Sequence, residues 1–256
     1  MKGLSNLGNT CYMNSSLQML LNIKDFCSII MSNKEKDQSL RNFAEFIMKY
    51  HITNNGVIVP KLIKNMINKN EMFNNYDQHD SAEFLICFLE IIDNIIKKKN
   101  IYNKFEINEK TILKCKVRKC LHKSETINKR MFLFLPIEKK CDNLDDCYRL
   151  YKINEKLVDD NMWFCEKCNK KRIASKRTEI IDWPNNLFIK LKRFDYNNNG
   201  AFKNNKKINI PLSWRRNYKL KGGVIHNGNV GGGHYMYFGK YFNKWFLFND
   251  SNVTEI

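Results

Sequence analysis

The sequence predicts an α+β fold, with helices in the first hundred or so residues and strands in the remainder. Three observations predict it. Apolar residues recur at helical spacing in 13–21 and again in 85–96; beyond about residue 105 they fall instead into short, alternating, aromatic-rich runs; and neither an internal repeat nor a Pro- or Ser-rich linker interrupts the 256 residues, which contain only four prolines.

Met13, Leu17, Leu20 and Leu21 stand at i, i+4, i+7 and i+8, which places the start of a first helix near Cys11, just after the turn-forming Gly8-Asn9-Thr10. A second helix carries Leu85, Phe88, Leu89, Ile92, Ile95 and Ile96 on one stripe. Asp80 and Glu83 resemble a capping box at its start, with Asp in place of Ser or Thr, and Lys97, Lys98 and Lys99 suit the negative end of its dipole. The β-like runs are 111–115, 131–136, 186–194, 233–239 and 244–248. The last two form HYMYFGKYFNKWFLF, which breaks at Asn243-Lys244 as a hairpin would.

Hydrophobic residues at 43% supply enough apolar surface to fold, which excludes a disordered chain despite the 27% charged content. No stretch of 18 apolar residues is present and Met1-Lys2 leads into a polar turn, so the expected protein is soluble, not membrane-bound and not exported. Nine cysteines without such a signal read as intracellular thiols, in cytoplasm or nucleus, available for a metal or for catalysis. The net charge of +18 is compatible with nucleic acid, but the cations are scattered among Asn and Ile in stretches such as KLIKNMINKN and FKNNKKINI. That pattern is a compositional bias and gives a nucleic-acid partner no specific support.

A cysteine at a helix N-terminus suits a nucleophile, because free N–H groups and the positive dipole end favour the thiolate. A small buried cysteine packing the helix would occupy the same position. His234 follows Gly231-Gly232-Gly233 and opens an aromatic strand, and Asn249-Asp250 lies 15 residues further, on what would be a neighbouring strand. A Cys-His-Asn or Cys-His-Asp set becomes geometrically possible. His226, before the glycine-rich turn, is poorly placed as the base. Cys165 and Cys168 form a CxxC that can present two thiolates to one tetrahedral Zn²⁺.

The segments GLSNLGNTCYMNSSLQML, YDQHDSAEFL, WFCEKCNKKRIASK, LFIKLKRF and GGGHYMYFGKYFNKWFLFNDSNV, in that order, closely resemble the ubiquitin-specific proteases, papain-like cysteine peptidases that remove ubiquitin. The resemblance runs from Gly3 to about Val253. It implies a single catalytic domain over 1–256 with a helical thumb (1–104), zinc-ribbon-like fingers (105–178) and a β-rich palm (179–256). It implies Cys11 as nucleophile, His234 as base and Asn249 as third triad member, with Asp250 as a supporting polar residue and Asn6 as oxyanion donor beside the Cys11 N–H. Asn249 stands where many relatives have Asp; its carbonyl can still accept the imidazole N–H and hold the ring. Asp80, and with less reason Glu83, would contact the arginine-bearing ubiquitin tail.

Cys115 and Cys120, with four residues between them where the family's knuckle has two, would join Cys165 and Cys168 around a structural zinc, and CLHKS from Cys120 matches the family. Cys141 and Cys147 have no matching motif, and Cys27 and Cys87 belong with apolar helical sequence. The implied activity is thiol-dependent cleavage after the ubiquitin C-terminal glycine, needing no catalytic cofactor, with ubiquitin and ubiquitinated proteins as partners and the chain a monomer. Two other readings stay open: a catalytically weak ubiquitin-binding scaffold, and a protease for a ubiquitin-like modifier.

Overall fold

The periodic stripe at 13–21 folds as the helix Cys11–Leu21, in which Met13, Leu17, Leu20 and Leu21 are all buried. Its other face is buried too, and polar side chains there reach the backbone of neighbouring segments: Ser16 Oγ donates to the Ser81 carbonyl at 3.0 Å and Gln18 Nε2 to the Lys2 carbonyl at 3.0 Å. A helix covered on all sides is fixed in both rotation and height. The computed structural model describes all residues except 53–55, 98–100, 198–199 and 217, and groups them into two compact units, Met1–Lys104 with Lys219–Ile256, and Phe105–Tyr218.

In the first unit the buried helix is accompanied by the helices Lys24–Asn33, Gln38–Ile52, Lys61–Ile67 and Ser81–Ile96. The last begins at Asp80, whose Oδ1 accepts from the Ala82 and Glu83 N–H groups at 2.8 and 3.1 Å. It ends on Lys97 in the left-handed region (φ 58°); Lys98 and Lys99 lie outside the described residues. Its stripe is buried at Leu85, Phe88, Leu89, Ile92 and Ile96 and half-buried at Ile95, while Phe84 stacks on Phe88 at 5.5 Å and meets Tyr12 edge-on at 5.7 Å.

The same unit holds an antiparallel four-stranded sheet, Gly222–Asn229, Gly232–Tyr241, Lys244–Asn249 and Asn252–Glu255, in that order. Tyr241 pairs with Lys244, so the expected hairpin turns at Phe242-Asn243, one residue earlier than the sequence suggests. Both turn residues have positive φ, 49° and 65°, as a two-residue hairpin loop of the right twist requires. Phenylalanine rarely adopts that conformation, which hides the turn from a reading of residue types.

The second unit is built on a sheet in the order Lys123–Arg130, Ile107–Cys115, Ala174–Asp182, Glu155–Leu157, all antiparallel. Phe132–Pro136 and Phe188–Lys192 pair in parallel beside the helix Leu144–Tyr151, which opens with a complete capping box between Asn143 and Asp146. Leu133, Leu135, Cys141, Leu144, Cys147, Tyr148 and Trp214 form its core. The contacts group 179–218 with this unit, and the sheet bearing His234 with the N-terminal helices.

The strand Lys2–Leu4 runs parallel to Gly56–Ile58 and lies against the far end of the chain: Leu4 N–H donates to the Asp250 carbonyl at 2.8 Å. A Cβ on Gly3 would sit 2.2 Å from the Ser251 carbonyl oxygen, an overlap with backbone that no rotamer relieves. Gly3→Ala is therefore expected to destabilise the protein by about 1–3 kcal/mol, measurable as a lower urea midpoint. An unchanged midpoint would show that the close approach is not part of the folded state.

Candidate active site

Asn6 organises the turn that delivers Cys11. Its Oδ1 accepts from the Gly8 N–H at 3.0 Å, the Thr10 N–H at 3.1 Å and the Thr10 hydroxyl at 3.2 Å, while Thr10 Oγ1 accepts from the Leu7 N–H at 2.8 Å. With Thr10 committed to the turn, the helix has no side-chain cap and no acidic residue in its first turn. Cys11, the first helical residue and buried at 2% exposed, therefore sits at an uncompensated positive helix end. Burial, and after it the neighbouring Cys11, hold the Tyr12 hydroxyl up at about 12, so that group stays neutral beside the thiol.

His234 lies on Gly232–Tyr241, and its Nε2 stands 2.7 Å from Asn249 Oδ1. An amide oxygen only accepts, so Nε2 donates and Nδ1 carries the lone pair. Asp250 Oδ2 is 3.9 Å from the same nitrogen. The Asp250 carboxylate is otherwise engaged with the first turn: Asn6 Nδ2 donates to Oδ2 at 2.8 Å and Asn14 Nδ2 to Oδ1 at 2.7 Å. Asn14 also reaches the Leu4 and Ser5 carbonyls, at 3.3 and 3.2 Å. Asn6, Cys11, His234, Asn249 and Asp250 thus all belong to the first unit, and a chain of hydrogen bonds links Asn6 through Asp250 to the strand end that holds Asn249.

Gln78 is the residue that the sequence reading passed over. Its Oε1 accepts from the Gly233 N–H at 2.7 Å, its Nε2 donates to the Gly233 carbonyl, and Nε2 also lies 3.5 Å from Cys11 Sγ. Asn14 was passed over as well. For Asn14 the available signal was polarity out of place, an amide within an apolar helical stripe; Gln78, in the polar stretch NNYDQHDS, carried no such signal. His226 packs against Tyr235 with ring centroids 4.5 Å apart and the planes tilted by 40°, and abuts Gly233, where a Cβ would lie 2.5 Å from its Nε2. The carboxylate of Asp80 already caps the helix, and Glu83 is exposed one turn further.

In the second unit, Cys115, Cys120, Cys165 and Cys168 bring their sulfurs within 4.8 Å of one another, a group that could hold a metal ion. The long Cys115–Cys120 spacing is absorbed by a turn in which the Cys120 N–H donates to the Val117 carbonyl at 2.9 Å, and by Leu121 in the left-handed region (φ 53°). The Cys115 N–H then donates to the His122 carbonyl at 3.0 Å, closing the loop. The remaining thiols lie elsewhere. Cys141 and Cys147 are core residues, and Cys27 and Cys87 are half-buried. Burial pushes the Cys27 thiol up to about 11 and raises Cys87, so neither is an activated nucleophile.

Comparisons with known proteins bear on the whole chain. The family model described as ubiquitin carboxyl-terminal hydrolase matches residues 2–256. The chain is 28% identical to ubiquitin carboxyl-terminal hydrolase Usp2 of Drosophila melanogaster, over 99% of its own length and 32% of that protein's. It is also 28% identical to ubiquitin carboxyl-terminal hydrolase 12 of Salmo salar, over 99% of its length and 81% of that protein's. Among solved structures it is similar to the SAGA Ubp8/Sgf11/Sus1/Sgf73 DUB module bound to ubiquitin aldehyde, with a TM-score of 0.79 at 25% identity, covering 100% of this chain and 66% of that one. The chain thus spans about a third of the fly relative and about two thirds of the solved one. The family match over nearly every residue, on a mixed helix-and-sheet fold, places the chain in the ubiquitin carboxyl-terminal hydrolase family, as a ubiquitin-specific protease with the papain-like fold.

Proposed function

We propose that the chain is a thiol-dependent ubiquitinyl hydrolase that cleaves the isopeptide or peptide bond after the ubiquitin C-terminal glycine, in a reducing intracellular setting. The observation that carries the reading is the 2.7 Å contact between His234 Nε2 and Asn249 Oδ1, which leaves Nδ1 as the base. Supporting it, Cys11 stands at the positive end of a buried helix. Cys11 loses its proton to His234 and attacks the glycine carbonyl; the tetrahedral oxyanion is met by the Cys11 N–H and by the Asn6 Nδ2 hydrogen that Asp250 does not use. His234 then protonates the leaving amine, and water hydrolyses the thioester to release ubiquitin.

Asn249 and Asp250 divide the work of an acidic third residue. The neutral amide orients the ring by a direct hydrogen bond, while the carboxylate 3.9 Å away faces the imidazolium that forms in each half-reaction. The Asp80 carboxylate, held by two N–H donors, offers a fixed anionic contact for the arginine-bearing tail of ubiquitin, with exposed Glu83 beside it.

The four cysteines suit zinc. A tetrahedral site with Zn–S of about 2.3 Å spaces its sulfurs about 3.8 Å apart, close to the 3.5 Å between Cys120 and Cys165 and the 3.3 Å between Cys168 and Cys120. When bound, the ion would supply a structural cross-link between the loop after Ile107–Cys115 and the hairpin of Trp163–Cys165 with Lys170–Arg172. No step of the reaction passes through it.

A ubiquitin probe with a C-terminal electrophile should label the parent chain at Cys11 and fail on Cys11→Ala; binding without labelling would leave a ubiquitin-binding scaffold, and labelling by a ubiquitin-like probe alone would reassign the substrate. His234→Ala should abolish turnover while His226→Ala retains it, as read by cleavage of a fluorogenic ubiquitin amide; the reverse result would move the base to His226. Asn6→Ala should lower kcat by about 10²–10³-fold with KM little changed, the loss expected for one oxyanion donor. About one zinc per chain should be found by elemental analysis, with a lower Tm after chelation or in Cys168→Ser; a metal-free chain whose Tm ignores chelator would remove the site.

A further inference from the structure

Gln78 lies in the segment that leads into the helix Ser81–Ile96, far in sequence from both reacting residues, yet its side chain touches the nucleophile and the peptide that precedes the base. The contact with Gly233 is two-pointed: Oε1 accepts from its N–H at 2.7 Å and Nε2 donates to its carbonyl. A neighbouring strand would satisfy a residue in the same way. On one side Gly233 has such a neighbour, Gly228, but on the other the pairing with Lys244–Asn249 runs only from Tyr237 to Tyr241. Gln78 takes the place of the strand where the sheet has not yet begun.

The identity of the residue it holds makes this more than turn closure. A Cβ at position 233 would come within 2.3 Å of the Asn227 carbonyl and 2.5 Å of His226 Nε2, so the close approach of the neighbouring strand demands glycine there. Glycine brings no side chain to anchor its own peptide, and that peptide sets the starting point of His234. The second hydrogen of Nε2 is the one that faces Cys11 Sγ at 3.5 Å. Only a primary amide of this length meets all three demands, because it must accept once and donate twice. Asparagine is one methylene shorter, and glutamate can accept but not donate and would set a charge beside the thiolate.

We propose that Gln78 is a positioning residue for the reaction, fixing the base relative to the nucleophile by clamping the Gly233 peptide while donating to the Cys11 sulfur. The proposal rests on the assignment of Cys11 and His234 as nucleophile and base. It predicts that the arrangement of the pair depends on a group contributed by a third region of the chain, outside both end segments.

The test compares the parent chain with Gln78→Ala and the isosteric Gln78→Glu in three measurements: steady-state cleavage of a fluorogenic ubiquitin amide, alkylation of Cys11 by iodoacetamide without ubiquitin, and Tm. Loss of a hydrogen bond to a charged or charge-developing group leads to an expected fall in kcat of about 10- to 100-fold in both variants, with KM within about twofold. Alkylation of Cys11 should slow in Gln78→Glu even where its Tm matches the parent's, which a purely structural role would not produce. Parent-like kcat in either variant overturns the proposal; should Gln78→Ala fail to fold, Gln78→Glu decides alone. If the parent cleaves no ubiquitin amide, the functional reading fails separately, and equal alkylation rates in parent and Gln78→Glu would then overturn the role of Gln78.

Discussion

The site depends on one carboxylate. Asp250, whose side chain is 14% exposed, takes a hydrogen bond from Asn6 on one oxygen and from Asn14 on the other, so residues 244 and 236 positions apart are held on the same group. Each bond is charge-assisted; removing the acceptor would leave the buried Asn14 amide with only the longer contacts to the Leu4 and Ser5 carbonyls, and the exposed Asn6 amide to water. Through Asn6 the carboxylate fixes the turn before Cys11, through Asn14 the first turn of its helix, and through the backbone the strand end that presents Asn249. Asp250 itself sits at φ 48°, a conformation aspartate tolerates better than most residues.

What the sequence made legible was local. The start of the first helix, the Asp80 cap and the alternating strands of the last hairpin each depend on residues within a turn or two of one another, and periodicity records such neighbours directly. The pairing of His234 with Asn249 could be reached because two consecutive strands must adjoin. The grip of Asp250 on Asn6 and Asn14, and of Gln78 on Gly233, left no such trace, since each joins segments whose proximity is decided by tertiary packing. Phe242 at a positive φ shows the same limit at short range: the twist of the strands overrode the preference of the residue.

The cysteine cluster was legible for a different reason. A metal site demands ligand type and convergence but tolerates variation in the connecting loop, so the extra residues between Cys115 and Cys120 bulge into a turn without moving either sulfur out of reach. The scattered cations gave the opposite lesson. Several are paired within the second unit, as Lys110 with Glu125, Lys129 with Glu106 and Arg130 with Glu109, so a large net charge does not by itself mark a binding surface.

The close approach of Gly3 to Ser251 gives the molecule a timetable. The strand beside Cys11 docks on a backbone that is made about 240 residues after it. Throughout that interval the turn before Cys11 lacks the Asp250 carboxylate that holds it in the folded chain. The two ends then meet through a contact distant in sequence, the kind that slows folding. The arrangement around Cys11 is therefore completed only after the strand end at Asn249-Asp250 has been made.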